Sequence, residues 1–151
     1  MNRSTLACAA ALVVAAFSAP AMAADCAATV EGNDAMQFNT KNLDIPKSCK
    51  KFDVTLKHTG KLAKTVMGHN FVVAQTSDLT AVNTDGMAAG AAADYVKAGD
   101  TRVLAHSKVV GGGESTTVSI PVDKMKAGSA YSFFCTFPGH ATLMKGTITI
   151  K

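Results

Sequence analysis

A chain of 151 residues, 48% of them apolar, has the length and composition to bury one ordinary core, and no repeat, low-complexity tract or linker argues for a second domain. Fifteen basic against 11 acidic residues leave a formal charge of +4. The lysines are nonetheless scattered from Lys41 to Lys151, with only Lys50 and Lys51 adjacent, which excludes a basic nucleic-acid stripe and describes a solvated surface.

The chain starts like an export leader. Asn2 and Arg3 lead into an apolar run from Leu6 to Phe17, and Ala21-Met22-Ala23 places small residues where a signal peptidase reads. The expected cut follows Ala23, leaving residues 24–151 as a single domain. The apolar run is too short to span a bilayer as a helix and no second run follows, so the mature chain is expected to be soluble and without a membrane anchor. Cys8 leaves with the leader. It sits near the start of the apolar run, whereas a lipoprotein cysteine would close it.

Cys26, Cys49 and Cys135 survive processing. An exported chain meets an oxidising compartment, where two cysteines pair and a third is protected or employed. Three pairings are possible. Cys26 and Cys49 are flanked by polar or small residues, whereas Cys135 follows the strand-like "AYSFF" and precedes a histidine and a methionine. Pairing Cys26 with Cys49 is the expected choice, worth roughly 3 kcal/mol in the loop-entropy model. Cys135 is then the free thiol.

From there the pattern is mostly β. In "KFDVTLKH", Phe52, Val54, Leu56 and His58 alternate with Asp53, Thr55 and Lys57, the two-residue period of a half-buried strand. "NFVVAQ", "RVLAHSKVV", "STTVSIPV", "SAYSFFC" and "GTITIK" read similarly, separated by Gly-, Lys- or Asp-rich turns such as Gly111-Gly112-Gly113. Short strands with turns between them predict a sandwich or barrel. The exception is residues 77–95, where the alanine-rich "DGMAAGAAADY" predicts one short helix outside the sheets.

The densest chemistry lies in "CTFPGHATLM", residues 135 to 144. On a strand through Tyr131, Phe133 and Cys135 the thiol shares the core-facing side with two aromatics. Pro138-Gly139 then turns the chain, bringing His140 back beside Cys135, and Met144 follows before the final strand. Oxygen-seeking cations are excluded by this set. Soft sulfur with imidazole selects copper or zinc, and two histidines with one cysteine in a plane, plus a weak axial methionine, make a blue-copper electron-transfer site. The second histidine must be His58, His69 or His106. His69, in "VMGHNF", lies at a glycine-punctuated turn just before a strand, where backbone can approach a metal closely. It is the choice here; His58 reads as a satisfied core histidine and His106 as a surface one.

"EGNDAMQFNT", "VMGHNFVV", "DGMAAG", "RVLAH" and "FFCTFPGHATLMKGTITIK", with the early cysteine pair, together resemble the azurins, small blue-copper proteins of the bacterial periplasm. The spacing of Cys135, His140 and Met144 is the most specific part, since plastocyanins, pseudoazurins and amicyanins have a shorter Cys-to-His loop. The resemblance implies a cupredoxin-like, eight-stranded Greek-key sandwich or barrel with a flap helix, holding one copper ion that cycles between the +1 and +2 states. It implies a trigonal plane from His69, Cys135 and His140, with Met144 and the Gly68 carbonyl as long axial contacts. Backbone amides of Asn70 and Phe137 would hydrogen-bond the thiolate. Met36, Leu62, Val66, Met67, Met87, Phe137, Pro138 and Gly139 would form an apolar docking surface around the exposed edge of His140. The implied protein is a monomeric carrier rather than an enzyme. Its implied partners are c-type cytochromes and periplasmic reductases or dehydrogenases. One departure is Phe71, where well-known azurins carry a buried tryptophan.

Other classes fit the residues less well. A cysteine hydrolase would use Cys135 and His140 but has no need of Met144 or His69. A copper oxidase or nitrite reductase would need further histidines for a second copper. A periplasmic copper store or chaperone is the better rival, though such proteins bind through several exposed soft ligands. Zinc accepts the same donors.

Overall fold

The computed structural model describes residues 25–151; the leader expected over residues 1–23 lies outside them. Nine strand segments form two sheets: β1 (Ala27–Asn33), β2 (Gln37–Phe38), β3 (Asn42–Ile45), β4 (Lys51–His58), β5 (Val72–Gln75), β6 (Val103–His106), β7 (Ser115–Pro121), β8 (Tyr131–Phe134) and β9 (Lys145–Ile150). The first sheet runs β2-β1-β4-β7 and the second β3-β9-β8-β5-β6. The sheets remain two separate ladders, so the architecture is a sandwich and not a closed barrel. Among the described residues, no helix is long and apolar enough to cross a membrane.

The alternation seen in the sequence of β4 is real, because its Phe52, Val54, Leu56 and His58 are buried while the residues between them face outward. Strand β8 behaves differently: all four of its residues are buried. Its Phe133 packs between the sheets, whereas Phe134 joins Val72, Ala74, Val82 and Val96 in a second cluster. Val82 belongs to helix α2 (Leu79–Ala89), which covers the outer face of this sheet. The main core stacks Phe71 on Phe133 with ring centroids 5.0 Å apart, and Phe38 tilts against both. Each such side chain contributes about 1.5–3 kcal/mol by leaving water.

The predicted helix is present but shorter than residues 77–95. It stops at Ala89 because Gly90, at φ 77°, carries the chain out of the helix, and Ala91–Ala93 make only a 3-10 turn. Asp94 and Tyr95 then adopt positive φ, a conformation strained for residues with side chains. A one-turn helix, α1 (Lys64–Met67), follows the β4 end. At the other end of the sandwich Cys26 and Cys49 are bonded to each other, with Cα atoms 5.7 Å apart. Cys135 is a free, buried thiol.

Candidate metal centre

Residues from three parts of the chain meet where β4 and β8 end and β5 begins. Cys135 follows β8 directly. Gly139, at φ 83°, makes the left-handed step that starts the 3-10 turn His140–Thr142, so His140 comes back under the strand end. His69 arrives from the segment between α1 and β5, where its N–H and carbonyl bridge Val110. The ligand atoms of His69, Cys135 and His140 all lie within 4.8 Å of one another.

The hydrogen bonds orient the donors. Asn33 O lies 2.9 Å from His69 Nε2 and can only accept, so Nε2 carries the proton and Nδ1 keeps its lone pair. That Nδ1 is 3.3 Å from Nδ1 of His140, which in turn is 3.6 Å from Cys135 Sγ. A cation about 2.0–2.3 Å from each donor would hold neighbouring donors about 3.5–3.8 Å apart in a trigonal plane. Two imidazole nitrogens and a thiol sulfur at these spacings therefore fit one soft or borderline cation.

Burial sets the protonation of the set. Cys135 and His69 are 0% exposed and His140 2%. Burial pushes the Cys135 thiol up to about 12, against the opposing pull of backbone N–H groups of Asn70 and Phe137 on its sulfur. Burial, then His69 and His58, brings His140 down to about 4. His69 is lowered too, chiefly by burial and despite its bond to Asn33. The histidines are thus neutral donors at neutral pH, and a bound cation must displace the thiol proton.

Gly68 and Met144, the expected axial contacts, border the donor set. Gly68 O lies 4.0 Å from Cys135 Sγ. Met144 is fully buried, and its carbonyl accepts the Cys135 N–H at 3.0 Å. Gly32 reports how close the walls are: a Cβ there would come 2.7 Å from His69 Cδ2 and 3.3 Å from Met144 Cε. Only glycine fits that strand position.

His58 is a structural neighbour of the donors. It is 0% exposed, takes the Gly60 N–H at Nδ1, donates from Nε2 to Met67 O at 2.8 Å, and stacks 4.2 Å from the His69 ring. His106 lies exposed at the end of β6, away from the cluster. Of the residues expected to form the docking surface, Leu62 (41%) and Val66 (60%) are strongly exposed, as are Pro138 and Gly139. Met67 and Met87 are half-buried, Phe137 is buried against the His140 ring at 4.7 Å, and Met36 packs partly into the core.

Sequence reasoning missed the side-chain network behind the thiol. Asn70 Oδ1 accepts the Thr136 N–H at 2.8 Å, and Asn70 Nδ2 donates to Thr136 Oγ1 and Asp94 O. Thr136 Oγ1 donates to Tyr95 O, and Asp94 Oδ1 takes the Val109 N–H. The strained Asp94-Tyr95 pair thus supplies two carbonyls to the network. No periodicity in the sequence signals this. Gly32 was findable, since an isolated glycine in a strand often marks a close approach.

A two-sheet Greek-key-type sandwich with a buried His-Cys-His set at one end, flanked by a methionine, defines a cupredoxin. The comparisons agree on the branch. Residues 24–151 match the family model described as copper binding proteins, plastocyanin/azurin family. An azurin of Achromobacter denitrificans is 57% identical over 141 residues, covering 93% of this chain and 95% of the relative. The azurin of Pseudomonas aeruginosa is 53% identical over 135 residues, covering 89% and 91%. Among solved structures, an azurin (Az-iso2) from Methylomonas sp. strain J superposes with a TM-score of 0.81 at 40% identity, covering 85% of this chain and 99% of that one. The chain belongs to the plastocyanin/azurin family of copper-binding proteins, and its relatives there are azurins.

Proposed function

We propose that this protein is a periplasmic one-electron carrier in which His69, Cys135 and His140, with Met144 and Gly68 O beside them, would hold a type 1 copper ion. The observation that carries the reading is the convergence of two neutral imidazole nitrogens and one buried thiol within 4.8 Å. Bound copper supplies reversible one-electron chemistry between its +1 and +2 states. The chain's own residues supply everything else. Asn33 O and the stacked His58 ring fix His69; the Asn70 and Phe137 amides fix the sulfur; burial keeps water from the donors. His69 and Cys135 are held by bonds within the protein and His140 packs on the Phe137 ring, so the cage has little freedom to rearrange when its charge changes, which keeps the barrier to electron transfer low.

Electrons enter and leave at the His140 edge, the donor nearest the exposed Pro138 and Gly139. Leu62, Val66, Met67, Met87 and Phe137 surround it with apolar surface suited to brief docking, and c-type cytochromes and periplasmic reductases or dehydrogenases are the proposed partners. Residues 1–23 are proposed as the cleaved leader that takes residues 24–151 to the periplasm. A copper store or chaperone suits the site poorly, because the donors are buried at 2% exposure or less and exchange of the ion would be slow. Copper(II) added to the mature protein with Cys135 reduced is expected to give an intense visible thiolate-to-copper charge-transfer band. A colourless complex would overturn the proposal.

A further inference from the structure

Lysines scattered along the sequence are gathered by the fold around the apolar surface over His140. On one side Lys61 and Lys64 flank the exposed Leu62 and Val66. On the other, Lys41 donates from Nζ to the Leu143 carbonyl at 2.8 Å, and Lys145 follows this 50% exposed leucine two positions later. The first side reaches the site: a Cβ on Gly68 would come 2.5 Å from the Lys64 carbonyl and 3.0 Å from the Phe137 ring, and Phe137 packs on His140. All four lysines are exposed. The carboxylates held against this loop are Asp34, which takes the N–H groups of Lys61 and Leu62, and Glu114, which takes that of Gly111. With Asp94, whose Oδ1 takes the N–H of Val109 beside Gly68, four ammonium groups face three carboxylates, and the rim stays positive.

We propose that this rim selects redox partners whose exposed cofactor edge is bordered by carboxylates, an inference that rests on the electron-carrier reading above. The apolar centre supplies contact, and the lysines supply steering and orientation that fade with salt. A second copy of this chain is a poor occupant, since it would set one lysine rim against another.

The test pairs two small reagents of opposite charge, hexacyanoferrate(III) and tris(phenanthroline)cobalt(III), against the reduced, copper-loaded mature protein in stopped flow. One electron leaves copper(I), giving copper(II), and reduces iron(III) to iron(II) or cobalt(III) to cobalt(II); no bond forms or breaks and no proton moves. Added salt should slow the anion and speed the cation. At low salt, K61E/K64E should lower the anion's rate and raise the cation's, each by on the order of tenfold. The control K50E/K51E makes the same change in net charge at the far end of β4 and should move both rates much less. Equal effects from the two double variants would overturn the proposal.

A second readout needs no electron transfer. Redox-inert hexacyanocobaltate(III), titrated into the labelled copper(I) protein, should shift the backbone NMR signals of residues 61–64 and of Lys41 and Lys145 first. Shifts centred on Lys50-Lys51, or spread evenly, would overturn the rim. Negligible exchange with both reagents would instead sink the carrier reading, and the hexacyanocobaltate map would still decide the rim. Translational diffusion that slows with protein concentration at low salt would make a second copy the occupant and also overturn the proposal.

Discussion

The middle of the sandwich and its metal end are equally dry but are built on opposite terms. Between the sheets, Val30, Leu56, Ile120 and Phe133 are 0% exposed and carry no side-chain polar atoms; at the end, His58, His69, Asn70 and Thr136 are also 0% exposed. A buried polar group costs free energy unless it is bonded. Each of these four is bonded: His58 to Met67 O, His69 to Asn33 O, Asn70 and Thr136 to each other. The middle is specified by volume and the end by direction. Stability resides mainly in the first region and donor geometry in the second.

The strongest way to break that division is at the sulfur. Cys135→Ser should abolish the visible copper band, because no thiolate remains, while the urea midpoint of the metal-free protein changes little. A large fall in that midpoint would mean that the metal end also carries the fold. Next, Leu56→Ala removes a fully buried side chain from the middle and should cost about 2–5 kcal/mol of stability. Its copper band should keep its wavelength; a shifted band would show that the two regions are not separable. Asn70→Ala strips the acceptor from the buried Thr136 N–H and should cost about 1–3 kcal/mol. Unlike the leucine change, it should also move the band and the reduction potential measured by voltammetry.

The smallest effect is a pH dependence of the metal-free protein. His140 titrates at about 4 in the fold against an ordinary 6.5, and His69 is lowered as well. The unfolded chain therefore takes up these protons first as the solution is acidified. Stability from these groups is complete above about pH 6.5 and is lost as pH falls towards 4. Urea midpoints measured across that window should decline, and more shallowly for His140→Gln.

The same contrast explains what could be read from the residues. Strand β4 was legible because one face is wet, so its apolar residues alternate. Strand β1 left no comparable pattern, because it buries only Val30 and Gly32, and β3 alternates as β4 does but over only four residues. The donors were legible because Cys135, His140 and Met144 are close in sequence and their chemistry is narrow. The support network was not, because it joins Asn70, Asp94, Tyr95 and Thr136 across long stretches of chain. The helix was overextended because alanines favour helix at 91–93, whereas Gly90 and the carbonyls needed at Asp94 and Tyr95 end it earlier. Phe71, expected to depart from the family, is fully buried and stacks on Phe133.

The central claim is that a donor set held by the protein passes one electron without being rebuilt. Coulometric reduction and reoxidation of the copper-loaded mature protein, followed through the visible band, tests it directly. The account predicts one electron per protein, with the band bleached on reduction and restored in full at the same wavelength over repeated cycles. A band that fails to return, or a count other than one electron, would contradict it.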